Sequence, residues 1–290
     1  MTTRLRLGLV FPPSSPPESI RAVATAVDAA GLDDFWVSED CFKESAVAAA
    51  VVALAATERV RVGIGLLPVP LRSVAQAAME FATIDRLFPG RFVGGIGHGV
   101  QAWMGQAGVR AEAPLTLLRE FATALRRLLD GEQVSVSGRY VNLDEVALAY
   151  PPLRPAPLMI GAAGPRSLAT AGELGTGTLL SLGLDTAAVK ESAATVLAAA
   201  GESPHEVFAS LIVATGPNAR ARVDAELGNY GIPGGPGVGA AGDARAIADQ
   251  LLELAGAGAT GLSVQPCSDE SDVAAFARFL GEEVRPLLHG

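Results

Sequence analysis

Eight times between residues 5 and 287, a short run of apolar and β-branched residues gives way to a longer segment with helical periodicity. The strand-length runs fall at 5–11, 35–38, 60–66, 92–96, 157–160, 177–182, 206–213 and 261–264. Helical segments follow at 17–30, 45–56, 73–87, 115–129, 165–172, 186–200, 219–227 and 272–287, with one more at 244–256 after the glycine-rich loop 231–242. Runs this short and apolar suit strands buried on both faces, and parallel strands need a helical crossover between them. Eight such units predict a TIM (β/α)8 barrel, an α/β fold that reaches this length undivided. An open Rossmann-type sheet is the competing arrangement, but the first strand runs into Val10-Phe11-Pro12-Pro13 where that fold needs G-x-G-x-x-G. The alternation breaks once. Residues 133–136, 140–143 and 146–149 read as short antiparallel strands with Gly138 in a turn. A small hairpin insertion at about 133–150 is therefore expected within a single domain spanning 1–290.

Hydrophobic residues make up 49% of the chain and charged residues 18%, which places it among globular rather than disordered proteins. A net charge of −9 leaves no basic face for nucleic acid, although local N–H groups and one Arg suffice for a small anion. Cys41 and Cys267 form neither a disulfide framework nor a metal cluster, so a reducing cytoplasm is expected and no metal site is. Residues 1–9 hold too short an apolar run for a signal peptide, and the longest apolar stretch, 46–56, is too short to span a bilayer. That apolar helix suits burial within the monomer and a homodimer interface equally well. The sequences H-E-x-x-H, G-x-S-x-G and the Walker loop do not occur, so metal hydrolysis, acyl transfer and ATP chemistry lack support.

A barrel of this kind carries its chemistry at the C-terminal ends of its strands. The second strand ends in Ser38-Glu39-Asp40-Cys41-Phe42. Either carboxylate, Glu39 or Asp40, suits proton transfer if burial raises its pKa. Equally, Asp40 suits a helix cap and Glu39 a pairing with an Arg in the mouth. The third strand ends in Gly65-Leu66-Leu67-Pro68, a stiff apolar wall with Arg72 beyond it to meet an anion, or simply a rigid connection. After the fourth strand, Gly97-His98-Gly99 exposes backbone around the histidine best placed for proton transfer; His205 sits near a loop and His289 in the tail. Trp103 reads as a stacking lid or a loop anchor, and Phe11 marks the end of the first strand. Finally, Gly161-Ala162-Ala163-Gly164-Pro165-Arg166 leads a strand into a helix through a turn nearly free of side chains. The helix start offers N–H groups and a positive dipole end to a phosphate, and Arg166 adds a charge. Close packing of a βα turn accounts for the small residues equally well.

Together these segments resemble the bacterial luciferase-like flavin and deazaflavin oxidoreductases, and within them the coenzyme F420-dependent branch related to methylenetetrahydromethanopterin reductase. The resemblance is carried by Gly31-Leu32-Asp33-Asp34-Phe35-Trp36-Val37-Ser38-Glu39, Arg61-Val62-Gly63-Ile64-Gly65-Leu66-Leu67-Pro68 and Leu87-Phe88-Pro89-Gly90-Arg91-Phe92. Gly95-Ile96-Gly97-His98-Gly99 and the Gly161 to Arg166 segment complete it, in the family's order. It implies a barrel mouth that holds coenzyme F420, or alternatively FMN, edge-on. The cofactor phosphate would lie near Gly161, Ala162, Ala163, Gly164 and Arg166 and the strand end at Ser181 and Gly183. A bulge after the third strand, with a non-proline cis peptide at Gly65-Leu66, would let Gly65, Leu66 and Leu67 buttress the ring, bordered by Gly97 and His98. The implied activity is hydride transfer between F420 and a small organic substrate. His98, Asp40 and Glu39 are then the catalytic candidates, with Phe11 and Trp103 toward the substrate. Relatives often carry His directly after the acidic residue of the second strand, where this chain has Asp40. An FMN-dependent monooxygenase of the same fold, and a barrel that binds cofactor without turnover, are the rival expectations.

Overall fold

The computed structural model describes residues 4–288, which leaves His289 outside the described residues. Eight parallel strands form a closed ring: β1 (Arg6–Val10), β2 (Asp34–Val37), β3 (Arg61–Ile64), β4 (Phe92–Gly97), β5 (Leu158–Ala162), β6 (Gly177–Leu180), β7 (Glu206–Ala214) and β8 (Gly261–Pro266). Each strand pairs with the next, and β8 returns to β1 with Arg6 opposite Gly261 and Leu9 opposite Val264. Around the ring lie α1 (Ile20–Ala29), α2 (Ala46–Ala55), α3 (Val74–Leu87), α4 (Pro114–Leu129), α5 (Pro165–Leu174), α6 (Thr186–Ala200), α7 (Ala219–Asn229), α8 (Ala244–Gly256) and α9 (Val273–Phe279). This is the predicted TIM barrel. No helix among the described residues is long and apolar enough to cross a membrane.

Side chains alternate between the two faces of a strand, so every strand serves two cores. On β7, Val207, Ala209, Leu211 and Val213 pack against the helices, whereas Phe208 and Ser210 face the lumen. The lumen is filled in storeys. At the strand N-termini, Arg6 donates to the two Asp34 oxygens at 2.9 and 2.8 Å, and Arg61 donates to Asp34 at 2.6 Å and Glu206 at 3.0 Å. Above this ionic layer, Trp36, Val93, Met159, Leu179 and Phe208 form a buried apolar floor. The Trp36 and Phe208 rings meet edge to face at 5.1 Å. Gly63 makes room for the indole, since a Cβ there would overlap its ring carbons.

Several local features depart from expectation. The insertion is a two-stranded hairpin, Val134–Ser137 against Asn142–Val146, closed by a hydrogen bond from the Gly138 amide to the Val141 carbonyl. Residues 147–149 form no third strand: the register shifts between Val134 and Val136, and Glu145 turns the chain with φ 52°. A short helix, Gln101–Gln106, forms in the loop after β4. β5 also runs further than the sequence suggests, because Ala162 still pairs with Leu180. Gly161 and Ala162 thus belong to the strand rather than to the turn.

Candidate functional site

At the C-terminal ends of the strands, above the Trp36 floor, opens a cavity of about 590 Å³. A volume of this order suits a cofactor-sized ligand. Its walls bring together many residues singled out by sequence: Glu39, Asp40, Gly65, Leu66, His98, Trp103, Gly161, Ala162, Ala163, Gly164 and Ser181.

The third strand stops at Ile64, and the chain crosses a cis Gly65-Leu66 peptide before the two-residue strand Leu67–Pro68 pairs with β4. The bulge turns Leu66 toward the neighbouring strands. A Cβ on Gly97 would come within 2.5 Å of a Leu66 methyl, and one on Gly161 would overlap the same methyl. Both glycines therefore clear space for Leu66, which is a packing reason for small residues that sequence could not separate from ligand binding. Leu67 itself is fully buried in the outer core.

The two carboxylates of the second strand end have different surroundings. Arg72 grips both Glu39 oxygens, and Glu39 also accepts from the Ala46 amide at the start of α2 at 3.1 Å. Glu39, rather than Asp40, meets that helix, and the anion beside Arg72 is Glu39 itself, joined by Glu80 at 3.1 Å. With its lone pairs so occupied, Glu39 holds the mouth in shape and is poorly placed to exchange a proton. Asp40 has no ion pair among the described residues. Burial pushes its carboxyl above the usual carboxylate range, against the opposing pull of Lys43 and the Ser38 hydroxyl. Burial likewise pushes the His98 imidazole below its usual range, with the Pro114 carbonyl pulling the other way. The buried Nδ1 of His98 has no hydrogen-bond partner.

At the opposite wall, α5 begins at Pro165 with Gly164 as its N-cap. The Ser167 hydroxyl accepts from the amides of Ala163 and Gly164 at 3.3 and 3.1 Å, so those two N–H groups are already engaged. Pro165 has none to offer, which leaves the amides of Arg166 and Ser167 at the helix start. Arg166 is exposed on that first turn.

Other expectations meet a different fate. Phe11 is fully buried against Phe35, because Leu7, Leu9 and Phe11 share the face of β1 turned toward the helices; it does not reach the cavity. Gly183, at φ 83°, lies under Ile232 and turns the chain rather than lining the wall. His205 bonds Thr178 at 2.9 Å below the floor, at the start of β7. Sequence reasoning missed Trp36, Ser210, Ser263, Gln265 and Tyr230, which all line the cavity. Ser210, Ser263 and Gln265 left a signal: each is a polar residue at an inward position of an otherwise apolar strand. Trp36 Nε1 and Ser263 Oγ are buried without a partner, in residues that line the cavity. Ser210, Ser263, Gln265 and Tyr230 make this part of the lining polar, which suits a ligand with polar groups.

The sequence profile of the luciferase-like monooxygenase family matches residues 4–262. Over 176 residues the chain is 29% identical to 5,10-methylenetetrahydromethanopterin reductase of Methanolobus tindarius, covering 61% of this chain and 54% of that one. It is 30% identical over 181 residues to F420-dependent glucose-6-phosphate dehydrogenase of Kineococcus radiotolerans, with 58% and 53% covered. The chain thus spans about half the length of these curated relatives. Its fold superposes on the coenzyme F420 dependent tetrahydromethanopterin reductase of Methanopyrus kandleri with a TM-score of 0.82 at 20% identity, over 98% and 99% of the two chains.

Proposed function

Since the chain belongs to the luciferase-like monooxygenase family, we propose that it is an oxidoreductase which moves hydride between coenzyme F420 and a small organic substrate. The relatives named above include enzymes described as F420-dependent, which supports the choice of cofactor. The observation that carries the reading is one cavity of about 590 Å³ between the Leu66 bulge and the start of α5, whose lining includes Trp36, Ser38, His98 and Ser263. A flat heterocycle with donors and acceptors on its rim suits such a mixture of apolar buttress and polar lining.

The residues present fit that group. Leu66 supplies an apolar face for the ring, held in place because Gly97 and Gly161 cede it room. The amides of Arg166 and Ser167 and the Arg166 guanidinium would hold the phosphate, in the dipole field of α5. When bound, the deazaflavin supplies the carbon that gives or takes the hydride. The chain's own part is to exclude water over the Trp36 floor and to manage a proton. Asp40, whose burial favours the protonated form, and His98, whose burial favours the neutral form, are suited to hold and pass it. Trp103 closes the substrate side of the wall.

Titration of the purified protein with oxidised F420 and, separately, FMN, followed by fluorescence quenching, tests this reading. Tight deazaflavin binding with much weaker FMN binding is expected. The reverse preference would assign the protein to FMN-dependent oxygenation, and binding of neither would remove the proposal.

A further inference from the structure

The substrate side of the cavity contains no cation. Among the described residues that line it, the charged side chains are Glu39 and Asp40, and Glu39 is neutralised by Arg72. Burial pushes the His98 imidazole below its usual range, which disfavours its cationic form. A phosphate or carboxylate on the substrate would lose its water and meet Asp40 instead of a partner, at a large cost in free energy.

One donor, by contrast, stands ready for a neutral oxygen. Tyr230 follows α7, and its hydroxyl accepts a hydrogen bond at 3.0 Å from Nε2 of Gln265 on β8. A phenol has one O–H and two lone pairs. Gln265 fills one lone pair, and the hydroxyl donates no hydrogen bond among the described residues, which leaves its proton free. Both side chains line the cavity. Resting on the hydride-transfer reading above, we propose that Tyr230, oriented by Gln265, donates its proton to the oxygen of an uncharged carbonyl substrate.

In the direction of reduction, the carbonyl carbon accepts the hydride of the reduced deazaflavin and forms a C–H bond. The π pair of the carbonyl moves onto oxygen, which forms an O–H bond with the Tyr230 proton as the phenolic O–H breaks. Asp40, which shares the cavity with Tyr230 and acts on it by its charge, returns a proton to the phenolate and is itself reprotonated by water at the cavity mouth. The substrate gains two electrons, which the deazaflavin loses. Oxidation of the corresponding alcohol runs the same steps in reverse. Burial raises the Tyr230 pKa, with the Gln265 hydrogen bond lowering it and the charges of Asp40 and Glu226 raising it, so the hydroxyl is protonated at neutral pH and available as a donor.

The test uses cyclohexanone as the neutral probe and glucose 6-phosphate as the anionic one. With three tyrosines in the chain, ultraviolet titration of wild type minus Tyr230→Phe isolates the Tyr230 ionisation without any cofactor. Cyclohexanone should move that ionisation to higher pH, because a donated hydrogen bond favours the protonated phenol, and glucose 6-phosphate should not. In the loaded enzyme, Tyr230→Phe should lower kcat for cyclohexanone by about a hundredfold, within the range for a lost general acid, while F420 affinity is unchanged. Gln265→Leu should shift the basic limb of the pH profile upward. An ionisation that ignores cyclohexanone, or a Tyr230→Phe enzyme with wild-type kcat, would overturn the proposal while leaving hydride transfer intact. Absence of F420 binding with the tyrosine shift preserved would instead remove the hydride reading and keep the Tyr230 contact.

Discussion

Replacing Asp34 with Ala should cost the folded protein about 3 kcal/mol, near the lower end of the roughly 3–5 kcal/mol expected when one partner of a buried ion pair is removed. Asp34 is 1% exposed and accepts three hydrogen bonds, two from Arg6 and one from Arg61. The value falls at the lower end because neither cation is wholly abandoned. Arg61 keeps Glu206 at 3.0 Å, and Arg6 keeps the Asp33 carbonyl at 3.0 Å. Glu206 is the internal control. Its side chain is 33% exposed, and water can replace it, so Glu206→Ala should cost about 1 kcal/mol or less. Removing Arg6 together with Asp34 should cost less than the sum of the single changes, because the stranded charge is then gone. Urea unfolding followed by far-ultraviolet circular dichroism measures all of these, provided the dependence on denaturant is the same in each variant. Trp36 rests on Phe208, over which Arg61 lies at 5.7 Å, so tryptophan emission should report the same damage. A cost below about 1 kcal/mol for Asp34→Ala, or one no larger than for Glu206→Ala, would refute the argument that burial decides the strength of this network.

Asp40→Ala should lower turnover far more than cofactor affinity, and unchanged turnover would end its proton-transfer role. Because burial raises the Asp40 pKa, ionising this carboxyl destabilises the folded state. Asp40→Asn should therefore stabilise the protein above the native Asp40 pKa, with the gain fading as pH falls and absent below the ordinary carboxylate value; melting curves across acid pH check the sign. Gly161→Ala should drive Leu66 into the cavity and weaken F420 binding, while adding Leu66→Ala should restore part of the affinity. Arg166→Ala, on an exposed turn, should leave the melting temperature in place yet weaken F420 binding by about tenfold, the scale of one charge-assisted hydrogen bond.

The barrel was legible because a two-sided buried strand is written as a continuous apolar run, and eight such runs leave few folds to choose from. The strand-end loops were legible for the same reason, since the barrel dictates which ends face the site. What escaped was tertiary. Whether Glu39 is catalytic depends on Arg72, 33 residues later, and nothing local announces that pair. The glycines at 97 and 161 suggested open backbone, whereas their shared reason is the Leu66 side chain from a third strand. Phe11 was misplaced although its parity with Leu7 and Leu9 was readable in the sequence. Ser263 and Gln265 followed the same period-two rule and were likewise recoverable. Tyr230 had no such signal, because a helix end carries no face-defining repeat. The hairpin was over-read by one strand, since a run of apolar residues after Val146 has no neighbour left to pair with.

The ionic storey beneath Trp36 and Phe208 makes the lumen a blind alley. A ligand that reaches the floor has one way out, through the mouth by which it entered. Any two ligands sharing this space therefore enter and leave through the same mouth. A single entrance is thereby a property of the scaffold before any side chain at the mouth is considered.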